Sequence, residues 1–272
     1  MRIVIRHEIA QEFAPAAKSV IQAMRLRPRD CESQIVSSWL IDADVDCRIR
    51  ESQDAFGNLV QTLNAEGPLA KLTISVRGEV DTFDTAGVLR GEPERFPVDV
   101  YLRDTDLTEP DPALRKFAAG IVKSAKTELD RPHFLMRAVH EAIAIDPEAQ
   151  TPISAVEAFK REKGASWDIA HVFVAAARAV GVPARCVSGY LAAPEDEAVA
   201  ALHGWAEAYV EGLGWIGFDP AICLCMHDGH VRVACGLDYM AAAPLRVSPL
   251  LNATRSMRVS ATVVQGASQR QS

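Results

Sequence analysis

Ser166, His203 and Asp219 are the residues whose types and surroundings could support nucleophilic chemistry. Ser166 opens a segment in which Ile169, Val172, Phe173, Ala176, Ala177 and Val180 recur every three or four positions, the spacing of one helical face. Gly181 and Pro183 stop it. The first turn of a helix offers unpaired N–H groups and the positive end of the dipole, which favour a thiolate, an alkoxide or a tetrahedral oxyanion. The plainer reading is that Ser166 caps the helix, because serine is a preferred N-cap. His203 and Asp219 flank a hairpin whose turn reads as Glu211-Gly212. A ladder centred on residue 211 sets the two directly opposite each other, with Cβ atoms about 4.5–5.5 Å apart, close enough for a carboxylate to orient an imidazole. A strand histidine beside an aspartate is also a common structural pair, so neither signal alone is specific.

The elements that must position these residues change character near residue 100. Before it the period is two: Leu72, Ile74, Val76 and Val80 alternate with Thr73, Ser75, Arg77 and Glu79, and similar strands are expected over 2–9 and 34–41. Asp54 to Asn58 carries a turn between strands. Short strands at this spacing predict a β-sandwich-like domain over 1–100. The charged, proline-containing stretch 91–110 reads as a linker. Beyond it the period is helical. Asp111-Pro112 starts one helix, a second begins near Asp130, and Ser154 with Glu157 forms a capping box. Strands then follow at 184–191, 203–210 and 215–219. The whole is α+β, with a core over 108–264 and a polar tail over 265–272.

Composition excludes several classes. The 272 residues are 49% hydrophobic and 24% charged, typical of a globular chain. A net charge of −7 disfavours nucleic-acid binding through charge. No run approaches the roughly 18 apolar residues of a membrane span, and the first residues lack a signal-peptide core, so no membrane association and a cytoplasmic setting are expected. Six irregularly spaced cysteines read as free thiols.

Taken together and in order, Gly164-Ala165-Ser166-Trp167-Asp168, Ala170-His171, Arg178 to Arg185 and Ser188-Gly189-Tyr190 resemble the core of bacterial transglutaminase-like proteins. So do His203-Gly204-Trp205-Ala206-Glu207, Gly214 to Pro220, Asp228 to Ala234 and Asp238-Tyr239. Leu26 to Arg29 and Phe56-Gly57-Asn58 resemble the β-sandwich region that precedes this core. The resemblance implies a papain-like core with a Cys-His-Asp triad, and acyl chemistry at an amide or ester, here peptide or isopeptide hydrolysis. It makes His203 the base and Asp219 its orienter. The nucleophile falls on Ser166, where the family has cysteine. Trp167, Asp168, His171 and Trp205 are assigned to the substrate side of the site. The serine leaves three readings open: a natural nucleophile, an engineered Cys-to-Ser change in a thiol enzyme, or an inactive binding module. Trp167 in place of Gln and Leu237 in place of Arg favour natural divergence.

No cofactor is expected, and the partner is a peptide or another amide-containing substrate. Cys223, Cys225, His227 and His230 have metal-ligand types but lack paired zinc spacing, so no metal is assigned. Cys186 reads as a buried hydrophobe and Arg185 as a surface ion-pair residue.

Overall fold

A computed structural model describes residues 1–91, 93–149, 151–192, 202–247 and 254–265. The N-terminal part is built on two long antiparallel strands, β1 (Arg2–Met24) and β4 (Leu59–Thr82), with β2 (Gln34–Ala43) and β3 (Cys47–Gln53) between them in sequence. The β1–β4 ladder shifts register between Glu12 and Ser19, close to Pro15 and Pro68. Proline has no N–H to give a ladder, so the pairing breaks there. One half of the β1–β4 pair is flanked by β2, the other by β3. Ile9, Phe13, Val20, Met24, Leu63, Leu72 and Ile74, drawn from both halves, share one buried core. One six-stranded sheet with both its halves on a shared core thus stands where the alternating pattern predicts a sandwich of short strands.

The described part of 91–110 is tied to the core at particular residues rather than free. It forms a short 3-10 helix at Val98–Leu102 with Tyr101 buried, and Glu94 accepts hydrogen bonds from Tyr101 and Trp215. Helices α1 (Pro112–Ile121) and α2 (Asp130–Ala142), the two-residue β5 (Ala144–Ile145), α3 (Ala155–Arg161), the two-residue β6 (Lys163–Gly164) and α4 (Ser166–Ala179) follow. Asp111 caps α1 by accepting from Leu114 N–H, and Ser154 caps α3 by accepting from Glu157 N–H. The second part closes with β7 (Ala184–Leu191), β8 (Leu202–Val210), β9 (Gly214–Asp219), β10 (Leu224–Cys225), β11 (His230–Gly236), α5 (Tyr239–Ala242), β12 (Leu245–Val247) and β13 (Thr254–Gln265).

Five of these strands make an antiparallel sheet in the order β10-β9-β8-β7-β11. Helix α4 is buried on nearly every side, between α1, α2 and α3 and the face of β7–β9 that carries Ala184, Ala206, Ala208 and Phe218. The apolar face read from the sequence is there, and Ala170, Val174 and Ala175 extend it around the helix, as a central helix requires. The fold is thus α+β, helices plus antiparallel sheets. Strand β13, grouped by sequence with the core, pairs with β1 from Ile3↔Gln265 to Ala14↔Thr254, and β12 pairs with the end of β1. A strand's own pattern does not say which edge it will join. The rest of the polar tail, 266–272, lies outside the described residues. Ile3, Ile5 and Val80 pack on Tyr190, Val231 and Val233, so the N-terminal sheet sits against the β7–β11 side of the core.

Candidate active site

The start of α4 meets β8 at Gly204. A Cβ on this residue would lie 2.8 Å from Trp167 Cα and 2.9 Å from its Cβ, so only glycine lets the strand approach the helix this closely. Strand β9 stops pairing with β8 at Ala206↔Phe218, and the N–H of Gly204 instead donates to Ser166 Oγ at 3.0 Å. Ser166 is the first helical residue and does not cap. The N-cap is Ala165, and the Asp168 carboxylate takes the capping work, accepting from Ala165 N–H at 3.0 Å and from Ile153 N–H at 2.9 Å. The serine hydroxyl is thereby spared from the cap.

His203 and Asp219 meet, though not in the expected register. The β8–β9 ladder pairs Val210 with Gly214 and Ala206 with Phe218, so a three-residue loop sets its centre at residue 212. Continued along the strands, the same register puts Asp219 opposite Trp205, two residues from His203. The shift from 211 to 212 moves the partner by two and keeps both side chains on one face, because side chains alternate with period two. His203 Nε2 then lies 2.5 Å from Asp219 Oδ2. Asp219 is fully buried, and burial raises its carboxyl, but the nearby imidazoles, His203 foremost, outweigh that and hold it well below the usual range. His203 is 9% and Ser166 8% exposed, so little of either residue reaches solvent. Among the described residues no hydrogen bond joins them.

A third residue joins this pair. His230 Nε2 lies 3.1 Å from the same Asp219 oxygen, and Ala221 N–H donates to the other oxygen at 3.0 Å. In the sequence His230 stands out only as a metal-ligand type near Cys223 and Cys225, with no metal assigned, and nothing there signals this contact. The ligand atoms of His203, Asp219 and His230 lie within 4.8 Å of one another, the one such group among the described residues. Yet His230 Nδ1 accepts from His227 N–H at 3.3 Å, which places the ring proton on Nε2, aimed at Asp219. A cation would have to displace that proton and oppose the backbone donor, so the trio suits hydrogen bonding rather than metal binding. Cys223, Cys225 and His227 do not come together as ligands.

The four residues assigned to the substrate side are placed differently. Asp168 is fully buried as the cap just described. His171 is fully buried, bonded through Nδ1 to Ile153 O at 3.0 Å and through Nε2 to Tyr239 N–H at 3.1 Å. Trp205 is fully buried beneath His203, with ring centroids 6.1 Å apart. All three are supports, because a side chain without exposed surface cannot touch a ligand. Trp167 alone is half-exposed, stacked on Tyr239 at 5.1 Å beside Ser166. Arg185 is also buried rather than superficial, paired with Glu207 at 2.6 Å and Glu94 at 3.3 Å. Burial pushes the Cys186 thiol up to about 12, which leaves it inert as a nucleophile.

Comparison with known proteins follows the two parts of the chain. The transglutaminase-like superfamily matches residues 115–220, and the bacterial transglutaminase-like N-terminal region matches residues 3–81. The Mycobacterium leprae protein ML0607, described as uncharacterized, is 25% identical over 262 residues, 90% of this chain and 91% of its own length. A Cytophaga hutchinsonii structure described as a candidate cysteine protease superposes with a TM-score of 0.78 at 20% identity, covering 98% of this chain and 92% of that one. The periplasmic domain of TgpA from Pseudomonas aeruginosa gives a TM-score of 0.41 at 13% identity, over 79% of this chain and 87% of that one.

Proposed function

This chain belongs to the transglutaminase-like superfamily, its bacterial N-terminal region included, and from that premise we propose that it is an acyl-transfer enzyme that hydrolyses a peptide or isopeptide bond. The observation that carries the reading is the buried 2.5 Å contact between His203 Nε2 and Asp219, one residue from the Gly204 N–H that holds Ser166 Oγ. With Nε2–H committed to Asp219, Nδ1 is left as the basic nitrogen.

Ser166 Oγ attacks the carbonyl carbon and its proton passes to His203 Nδ1. The oxyanion faces the free N–H groups of the first turn of α4, with the helix dipole behind them. Collapse breaks the C–N bond and the leaving amine takes the proton from His203. Water then repeats the sequence on the acyl-serine, freeing the acid. These steps need no cofactor. Ser166 and His203 must close to about 2.6–3.2 Å in the substrate complex, a tightening common in sites that are loose when empty. The serine must surrender its proton during attack, whereas a cysteine here would be readily ionised, its ordinary pKa being about 8.5.

The test is intact-mass analysis after treatment with a broad serine-reactive fluorophosphonate, with His203→Ala as control. A single adduct on Ser166, lost in the control, is the expected result. No adduct, together with a Ser166→Cys thiol that iodoacetamide alkylates no faster than in the Ser166→Cys/His203→Ala double variant, would overturn the reading and leave a binding module.

A further inference from the structure

We propose that His230 is a positioning residue for the His203–Asp219 pair, and that the N-terminal domain holds it in place by hydrogen-bonding the open edge of β11. This role rests on the acyl-transfer reading above, but the contacts that argue for it lie outside the residues which that reading uses.

Asp219 is oriented from three directions: by His203 and His230 on Oδ2 and by Ala221 N–H on Oδ1. The His230 ring is fixed in its turn. His227 N–H sets its tautomer, and its faces and edges meet Trp205 at 5.1 Å and His227 at 4.6 Å. Burial lowers the His230 imidazole against the opposing pull of Asp219, so it serves as a neutral donor. A neutral N–H on Oδ2 draws electron density from the carboxylate without adding charge. It also stops Asp219 from rotating away from His203.

His230 begins β11, and β11 is an edge strand of the core sheet. An edge strand presents unpaired N–H and C=O groups. Here two buried amides of the N-terminal domain take them. Gln34 Oε1 accepts from Arg232 N–H at 2.9 Å while its Nε2 donates to Arg232 O at 2.8 Å. Asn58 Oδ1 accepts from Cys235 N–H at 2.8 Å while its Nδ2 donates to Cys235 O at 2.7 Å. Each amide thus satisfies both backbone groups of one residue, as a neighbouring strand would. Thr82 Oγ1 adds a bond of 2.6 Å to Asp228 O, just before His230. The amides are themselves tied down, Gln34 to Arg29 O at 2.7 Å and Asn58 to Asp54 at 3.0 Å. The N-terminal domain therefore grips β11 on both sides of the register position that aims His230 at Asp219.

The experiment follows the His203 imidazole by NMR titration in the full chain, alongside the rate of fluorophosphonate labelling at Ser166. The titratable groups in contact with His203 are Asp219 from β9 and His230 from β11, with His227 behind His230. In His230→Leu the carboxylate loses a donor and attracts the imidazolium more strongly, so the His203 midpoint should rise. Labelling should slow about tenfold or more, as loss of a supporting hydrogen bond does at other sites. His230→Gln, whose amide N–H can stand in for Nε2–H, should restore both. Gln34→Leu, remote from Asp219, should move the midpoint the same way by a smaller amount, and it serves as the second arm if His230→Leu does not fold. A His203 midpoint unmoved in a folded His230→Leu or, failing that, in a folded Gln34→Leu overturns the proposal. A midpoint that moves and is restored by Gln, in a protein whose Ser166 never labels and whose Ser166→Cys thiol gains no reactivity from His203, upholds the anchoring by His230 and sinks the acyl-transfer reading instead.

Discussion

Acid should loosen this protein through His171. The ring is fully buried, and Tyr239 N–H points at Nε2, so the single proton of the neutral ring sits on Nδ1 and goes to Ile153 O. A second proton on Nε2 would face a backbone donor with no acceptor in reach. Burial accordingly pulls the imidazole from 6.5 down to about 4. The group is held neutral in the folded state, so as pH falls from about 6.5 to about 4 the unfolded chain takes up a proton that the folded chain refuses. Stability present above that window is lost across it, by about 3 kcal/mol at the lower end. His171→Gln keeps one donor and one acceptor but cannot titrate. It should be less stable than the parent by about 1–2 kcal/mol near neutrality, through imperfect hydrogen bonds. Near pH 4.5 the difference should move by about 2–3 kcal/mol in favour of the variant, which closes or reverses the gap, because the parent alone pays the protonation cost. Buried His7, also drawn down to about 4 by burial, acts in both proteins and cancels in the difference. Urea unfolding of the two proteins at several pH values gives the result directly. Parallel stability curves for parent and variant would refute the account of His171.

Other expectations concern packing. Gly204→Ala places a methyl within 2.8 Å of Trp167 Cα, so the start of α4 must shift. We expect a loss of about 1–3 kcal/mol in thermal or urea unfolding, with Ser166 labelling falling further than stability. Gln11 and Gln22 are buried in the N-terminal domain and exchange two amide hydrogen bonds of 3.0 and 2.8 Å. Gln22→Leu alone should cost about 2–4 kcal/mol by orphaning the Gln11 amide, whereas Gln11→Leu/Gln22→Leu should recover most of it. Equal losses in the single and double variants would contradict the pairing.

Much of the architecture is legible in local pattern. The alternation over 71–80 and the helical period from Ser166 each survive into the structure, because each reflects which side of an element meets the core. The same periodicity carried His203 and Asp219 to one face although the ladder centre was misplaced by one residue. The misplacement came from the loop. Gly212 at φ +81° and Gly214 at φ +89° shape a three-residue connection, where Glu211-Gly212 alone suggests a shorter turn.

Roles of individual side chains were less legible. Serine at a helix start suggests a cap, but Asp168, reaching back to Ala165 and across to Ile153, had already filled that position. Asp168, His171 and Trp205 sit in the motifs around the site, and nothing in their spacing separates a residue that touches a ligand from one that holds the wall behind it. Burial makes that distinction.

Sequence by itself determined the alternation over 71–80, the apolar face of α4 and the shared face of His203 and Asp219, because those follow from periodicity over a few neighbouring positions. Tertiary structure alone decided that His230 reaches Asp219, and that Gln34 and Asn58 close the edge of β11 from 198 and 177 residues away. A side-chain amide pairing with a distant backbone leaves no period in the chain. It exists only once two separately patterned surfaces have been packed together.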